Sequence, residues 1–311
     1  MVTDAQVGTV APPHAHHRWR SMRFRRLALA YALVAPVVIW RLATVVYPFL
    51  NTLYLSFFDN SPIRHTFKFI GLDNYVAMTK DNNVSQTLTF TLFFTVASVS
   101  LQVVSGLIIA QLLNRKFFMR GVARSINLLP WAMAGIVWAT ASRWIFDPNF
   151  GLVNDLIWRV SGARPLWLVN VNLARLAVTF SDVWKSTPFL AVVFLSGLQG
   201  IPEELYEAAK IDGADSWRSF THITLPLLLP LILSMTIFIA IGRVLGFEIV
   251  YALTQGGPGM STALMSYTVY LQAFRVLNFG YASAVAIGLF LIVLVGGLFG
   301  FGLVRRAWAK L

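Results

Sequence analysis

The chain has 311 residues, 57% of them apolar and only 12% charged, well below the quarter of charged residues expected of a soluble domain. That balance excludes an ordinary water-soluble globule and points to an all-α, polytopic membrane protein. The net charge of +12 is clustered beside apolar runs, which speaks against a nucleic-acid partner, and the absence of cysteine excludes disulfides, thiolate metal sites and thiol catalysis.

A basic tail, 1–26, opens the chain and is expected to be disordered at its start. Its His14, His16 and His17 lack a positioned fourth ligand, so no metal is assigned. Six apolar runs follow, at 27–50, 88–113, 123–146, 173–198, 225–253 and 281–304. Each is close to or above the roughly 20 residues a helix needs to cross the hydrocarbon layer, and a helix satisfies its own backbone in lipid. Six transmembrane helices are predicted within a domain 27–304. The first run is too long for the apolar core of a cleavable signal and is expected to remain as an anchor. Arg18, Arg20, Arg23, Arg25 and Arg26 precede it, Arg115, Lys116, Arg120 and Arg124 follow the second run, and Arg305, Arg306 and Lys310 close the chain in a short basic C-terminus, 305–311. By the excess of Lys and Arg on the cytoplasmic side, both termini are cytoplasmic, as is the polar segment 200–226 between the fourth and fifth runs.

That segment is built as a docking element. Pro202 suits a first helical turn, Glu203 and Glu204 sit at the positive end of the helix dipole, and Ala208 and Ala209 give helix propensity with a low profile. Gly213 is placed to end the helix in a left-handed conformation. A second short helix, capped by Asp215 or Ser216, brings Trp217, Phe220 and Ile223 back toward the membrane.

Glu207-Ala208-Ala209, three residues, Gly213, then nine residues to Ile223-Thr224-Leu225-Pro226 resembles the cytoplasmic loop of the membrane subunits of binding-protein-dependent ABC importers. Asp212 and Pro230 match the sugar-importer branch, the one that includes maltose, oligosaccharide and glycerol-3-phosphate carriers. The likeness extends to Tyr47-Pro48, to Phe69-Ile70-Gly71-Leu72-Asp73-Asn74-Tyr75, to Trp184–Phe189 and to Leu253–Gly259. The resemblance implies that Glu203, Glu204, Glu207, Ala208, Ala209, Asp212, Gly213, Ala214, Phe220, Ile223, Leu225 and Pro226 couple to an ATPase subunit. It also implies a second, sister permease, two ATPase subunits carrying ATP and Mg, an extracytoplasmic solute-binding protein, and residence in the lipid of a prokaryotic inner membrane.

The chain itself is expected to be no enzyme and to hold no cofactor. Lys185-Ser186-Thr187 has the tail of a phosphate-binding loop, but Trp184 stands where its glycine must be. Ionisable residues inside spans are pathway candidates. Asp182 and Lys185 share a helix face, to neutralise each other or to meet substrate. Arg243 and Glu248 are about 140° apart on the fifth span. Glu248, beside Phe247 and Tyr251, offers an acceptor among aromatic rings, suited to a sugar or to a salt bridge with the sister subunit. Trp131 and Trp138 share a face for helix packing or for stacking on a sugar. Gly256-Gly257-Pro258-Gly259 cannot be regular helix and makes either a receiving loop for substrate or binding protein or a simple turn. The function expected is a permease subunit importing a sugar or similar polar solute. The alternatives are an importer of a glycerol phosphate ester, a self-sufficient secondary transporter, which would need inverted repeats, and a membrane enzyme, which would need a convergent catalytic set.

Overall fold

The computed structural model describes the backbone of residues 15–308 and the side chains of residues 26–306. His14, the side chains of His16 and His17, the start of the tail and Lys310 lie outside the described residues. The chain divides into two compact units, residues 1–52 and 53–311.

The first unit is helical, with α1 (Ala15–Arg41), a wide π turn over Leu42–Val46, and the beginning of α2 (Tyr47–Leu55). Tyr47 N–H donates to Leu42 O and Pro48 follows. A proline has no N–H to give and its ring crowds the carbonyl four residues back; the wider turn just before it relieves that crowding.

The second unit opens with an antiparallel hairpin of β1 (Phe58–Ser61) and β2 (Thr66–Phe69), Phe58 opposite Phe69. Buried Asn74, in α3 (Asp73–Lys80), donates to the carbonyls of Ser56 and Phe58 at 2.9 Å each and so clasps the chain entering the hairpin. The long α4 (Asn82–Asn114) is capped by Asp81, whose Oδ1 accepts from Asn83 N–H at 2.8 Å while Oδ2 takes the Tyr281 hydroxyl at 2.7 Å. Next come α5 (Arg120–Ala132), α6 (Gly135–Ile145), α7 (Leu152–Ser161) and α8 (Val171–Gln199). The polar segment holds α9 (Glu203–Ile211) and α10 (Ser216–Ser219). A second π turn, Phe220–Thr224, runs into α11 (Leu225–Val244), again with a proline, Pro226, as its second residue beyond the turn. The chain ends through α12 (Glu248–Leu253), α13 (Met265–Tyr270), a π turn at Leu271–Arg275 and α14 (Phe279–Trp308).

Among the described residues, five helical stretches are long and apolar enough to cross a membrane: Arg26–Leu55, Asn82–Asn114, Val171–Gln199, Ser216–Val244 and Phe279–Arg306. Two expectations need correction. The third apolar run is two helices of 13 and 11 residues, each too short for a layer of about 30 Å. The cause is local: Pro130 withdraws a donor near the end of α5, and Met133 and Ala134 are extended, with ψ of 139° and 137°. Trp131 and Trp138 therefore belong to different helices. The fifth run is likewise interrupted after Val244, with Leu245 at ψ −3° and Phe247 at φ −132°. The carbonyl of Gly246 freed by that break accepts the Ser266 hydroxyl. With the helix broken, the angle expected between Arg243 and Glu248 does not apply.

Of three apolar clusters among the described residues of the second unit, two flank the middle of α4 and α8. One joins α4, α8 and α11 through Val99, Leu190, Phe194, Leu228 and Ile232. The other gathers Phe90, Phe94, Val178, Val250, Leu253 and Leu264. Along α4 and α8 the stretch between them is polar.

Candidate functional site

The polar segment folds from capping rules upward. Pro202 is the residue before α9 and not its first, with ψ 133°; Glu203 and Glu204 follow in the first turn, where the dipole favours acids. At the other end Gly213 is left-handed at φ +77°. Its N–H donates to Lys210 O at 3.1 Å and Ala214 N–H to Ala209 O at 2.8 Å, the paired bonds of a Schellman cap. Asp215 then starts α10 by accepting from Arg218 N–H at 2.7 Å. Tyr206, which the sequence did not single out, ties the two halves: its hydroxyl lies 2.8 Å from Thr224 Oγ1 in the π turn.

Glu207, Ala208, Asp212 and Gly213 are exposed and Ala209, Ala214, Phe220, Ile223 and Leu225 half-buried, with Pro226 exposed. Ile211 and Trp217 are 87% and 69% exposed. Trp217 packs on Phe220 at 5.8 Å, which leaves an aromatic pair and the exposed Ile211 on an otherwise polar segment.

At the polar stretch between the two apolar clusters, Asp182 does not pair with Lys185. Its Oδ2 sits 2.7 Å from Arg243 Nε on α11, accepts from the Ser98 hydroxyl, and accepts from Gln102 Nε2 at 2.8 Å, both on α4. Arg243 Nη2 in turn donates to Gln102 Oε1 at 3.3 Å. Helix spacing put Lys185 beside Asp182, but the counter-charge comes from Arg243 on α11 and two neutral donors come from α4.

Beside this network runs a groove made of two adjoining cavities of about 420 and 510 Å³ that share Lys185, Ser186, Gly242 and Arg243. Asp182, Phe247 and Glu248 line the first, and Trp131, Phe189 and Phe238 the second. Trp131 stacks on Phe189 at 5.4 Å. The Glu248 carboxylate rests on Gly135, the first residue of α6, so closely that a Cβ there would overlap Oε2. Trp138 does not line the groove: it is buried, its Nε1 donates to Ser181 O at 2.8 Å, and its ring stacks on Trp184 at 4.1 Å. Tyr251 stands behind Phe247 at 5.1 Å and meets Tyr270 edge-on at 5.5 Å.

The glycine-rich loop is tightly knit. Thr262 Oγ1 reaches Gly257 O at 2.7 Å and Thr254 Oγ1 at 2.8 Å, and Arg175 Nε donates to Ser261 O at 3.0 Å. Gly256 is buried and left-handed at φ +82°, with Gly257 and Pro258 half-buried beside it. These bonds hold the loop in one shape.

Residues 102–308 match the family model described as binding-protein-dependent transport system inner membrane component. The chain is 34% identical over 274 residues to the trehalose/maltose transport system permease protein MalF of Thermococcus litoralis, covering 88% of this chain and 92% of that one. It is 37% identical over 278 residues to the sulfoquinovosyl glycerol transport system permease protein SmoG of Agrobacterium fabrum, covering 88% of each. Among solved structures, a chain of a bacterial ABC transporter involved in the import of the acidic polysaccharide alginate superposes with a TM-score of 0.82 at 25% identity, over 94% of this chain and 99% of the other. The chain therefore belongs to the inner-membrane components of binding-protein-dependent transport systems, as a multi-pass permease subunit of an ABC importer.

Proposed function

We propose that this permease and a sister subunit together enclose the path of a sugar or similar polar solute. A solute-binding protein delivers that solute, and two ATPase subunits, one of them seated on the segment 200–226, drive its passage. Both termini and that segment face the cytoplasm in this reading, with six crossings once α5 and α6 are counted as one interrupted span. ATP and Mg belong to the ATPase partners, because Lys185-Ser186-Thr187 lies within α8 and has no glycine loop before it.

The carrying observation is the Schellman-capped α9 followed by α10, which hold Ile211 and Trp217 out to solvent. The names of the relatives support a sugar, and so does a groove that sets Lys185 and Glu248 among Trp131, Phe189 and Phe247: charged hydrogen-bonding groups beside ring faces. Glu248, Lys185 and Phe247 are the residues proposed to line the path, with Asp182 holding its wall. Gly256, Gly257 and Pro258 are proposed to meet the binding protein or its cargo.

Affinity purification in mild detergent with mass spectrometry tests the reading. A stoichiometric ATPase and a second permease are expected. A folded chain recovered without any ATPase would overturn the docking role and favour a self-sufficient transporter.

A further inference from the structure

Helix α7 lies outside both the polar segment and the groove, and it presents an apolar stripe. Leu152, Leu156 and Val160 recur every four residues within an arc of about 80°, and they are 59%, 55% and 90% exposed. Next to that arc lies a charged one, where Arg159 Nε donates to Asp155 Oδ2 at 2.9 Å. The remaining side faces the protein through Asn154, which is 2% exposed. The helix thus has three sectors: protein, water-compatible and apolar.

Its height is fixed as well. The Asn154 side-chain amide reaches the carbonyls of Asp147 at 3.4 Å, Pro148 at 3.2 Å and Pro165 at 3.0 Å, while its Oδ1 accepts from Trp167 Nε1 at 3.0 Å. Those groups lie just after α6 and just before α8, so α7 is clamped at the level of their ends and cannot project away. The 29 residues of α8 span about 43 Å, the thickness of a bilayer with its headgroups. The start of α8 at Val171 therefore falls at headgroup depth. Trp158, with the Arg164 guanidinium 5.5 Å over its ring, has the amphipathic chemistry favoured at that depth.

We infer that α7 is an interfacial helix: it lies in the headgroup layer of the membrane face opposite the segment 200–226, with Leu152, Leu156 and Val160 dipped toward the acyl chains and Asp155 and Arg159 toward water. The occupant is lipid, not the sister subunit or the binding protein.

The chain has no cysteine, so single spin labels report on one site each and the wild-type chain supplies the blank. Leu156→Cys, Val160→Cys and Arg159→Cys are labelled in the chain reconstituted in lipid nanodiscs with its copurifying subunits. Collision with oxygen and with a water-soluble nickel chelate is then measured. An oxygen-to-nickel accessibility ratio several-fold higher at positions 156 and 160 than at 159 is expected. Free access of nickel to all three would overturn the inference in favour of a solvated helix. Protection of 156 and 160 from both reagents would overturn it in favour of a protein partner. Asn154→Ala should collapse the difference between the positions while Leu156→Cys alone leaves transport intact; a pattern unaffected by Asn154→Ala would remove the clamp from the argument.

Discussion

At the scale of single residues, Asp182 decides the most. It is a buried carboxylate whose charge is met by one guanidinium and two neutral donors. Asp182→Ala leaves Arg243 without its counter-charge, a loss of about 3–5 kcal/mol for buried pairs. In thermal unfolding of the purified chain, Asp182→Ala and Arg243→Ala should each be strongly destabilised, and the double variant should be less so than the sum of the two. Strict additivity would mean the pair is not coupled. Gly213 answers a different question. A Cβ there meets nothing within 4 Å, so Gly213→Asp costs only the left-handed backbone, about 1–2 kcal/mol. The variant should insert at normal levels yet lose transport; normal uptake would remove Gly213 from the coupling role. Gly213 was legible in the sequence because a helix end is a local matter. The partner of Asp182 was not, since the sequence offers only neighbours on the same helix and Arg243 is 61 positions away in a different one.

Elements were legible where apolar length alone defines them, and less so where a backbone break hides inside an apolar run. The runs at 88–113, 173–198 and 281–304 fall inside α4, α8 and α14. The run at 123–146 shows Pro130 and Gly135 as signs of its division, and that at 225–253 Gly242 and Gly246. Both breaks meet in space: α6 begins at Gly135 and α12 begins at Glu248, which lies directly on it. Gly135→Ala should therefore destabilise the protein by about 1–3 kcal/mol through overpacking, and Glu248→Ala in the same chain should restore most of the loss. Equal melting of the single and double variants would show that the two helices do not press on one another there. The π turns before Pro48 and Pro226 are a further case in which the residue was visible and its conformational answer was not.

For the whole molecule, composition and the length of the apolar runs carried most of the fold, because a bilayer imposes one length and one backbone solution on every span. What they could not carry was which helices move. The pair α4 and α8 is joined by the buried Asp182 network, whereas α6 is cut off from α5 at Met133 and Ala134. Paired spin labels should report an α5–α6 distance that changes between nucleotide-free and ATP-trapped importer, and an α4–α8 distance that does not. A change of equal size in both would point to whole-bundle rearrangement. The interruption before Gly135 also bears on the cost of such movement. No backbone ladder bond has to be sacrificed for α6 to swivel there, because the ladder has already stopped. The barrier to turning this piece is set by side-chain contacts: the Glu248 carboxylate resting on Gly135, a seat that one turn of α12 can vacate, and the Trp138 ring and N–H held by α8.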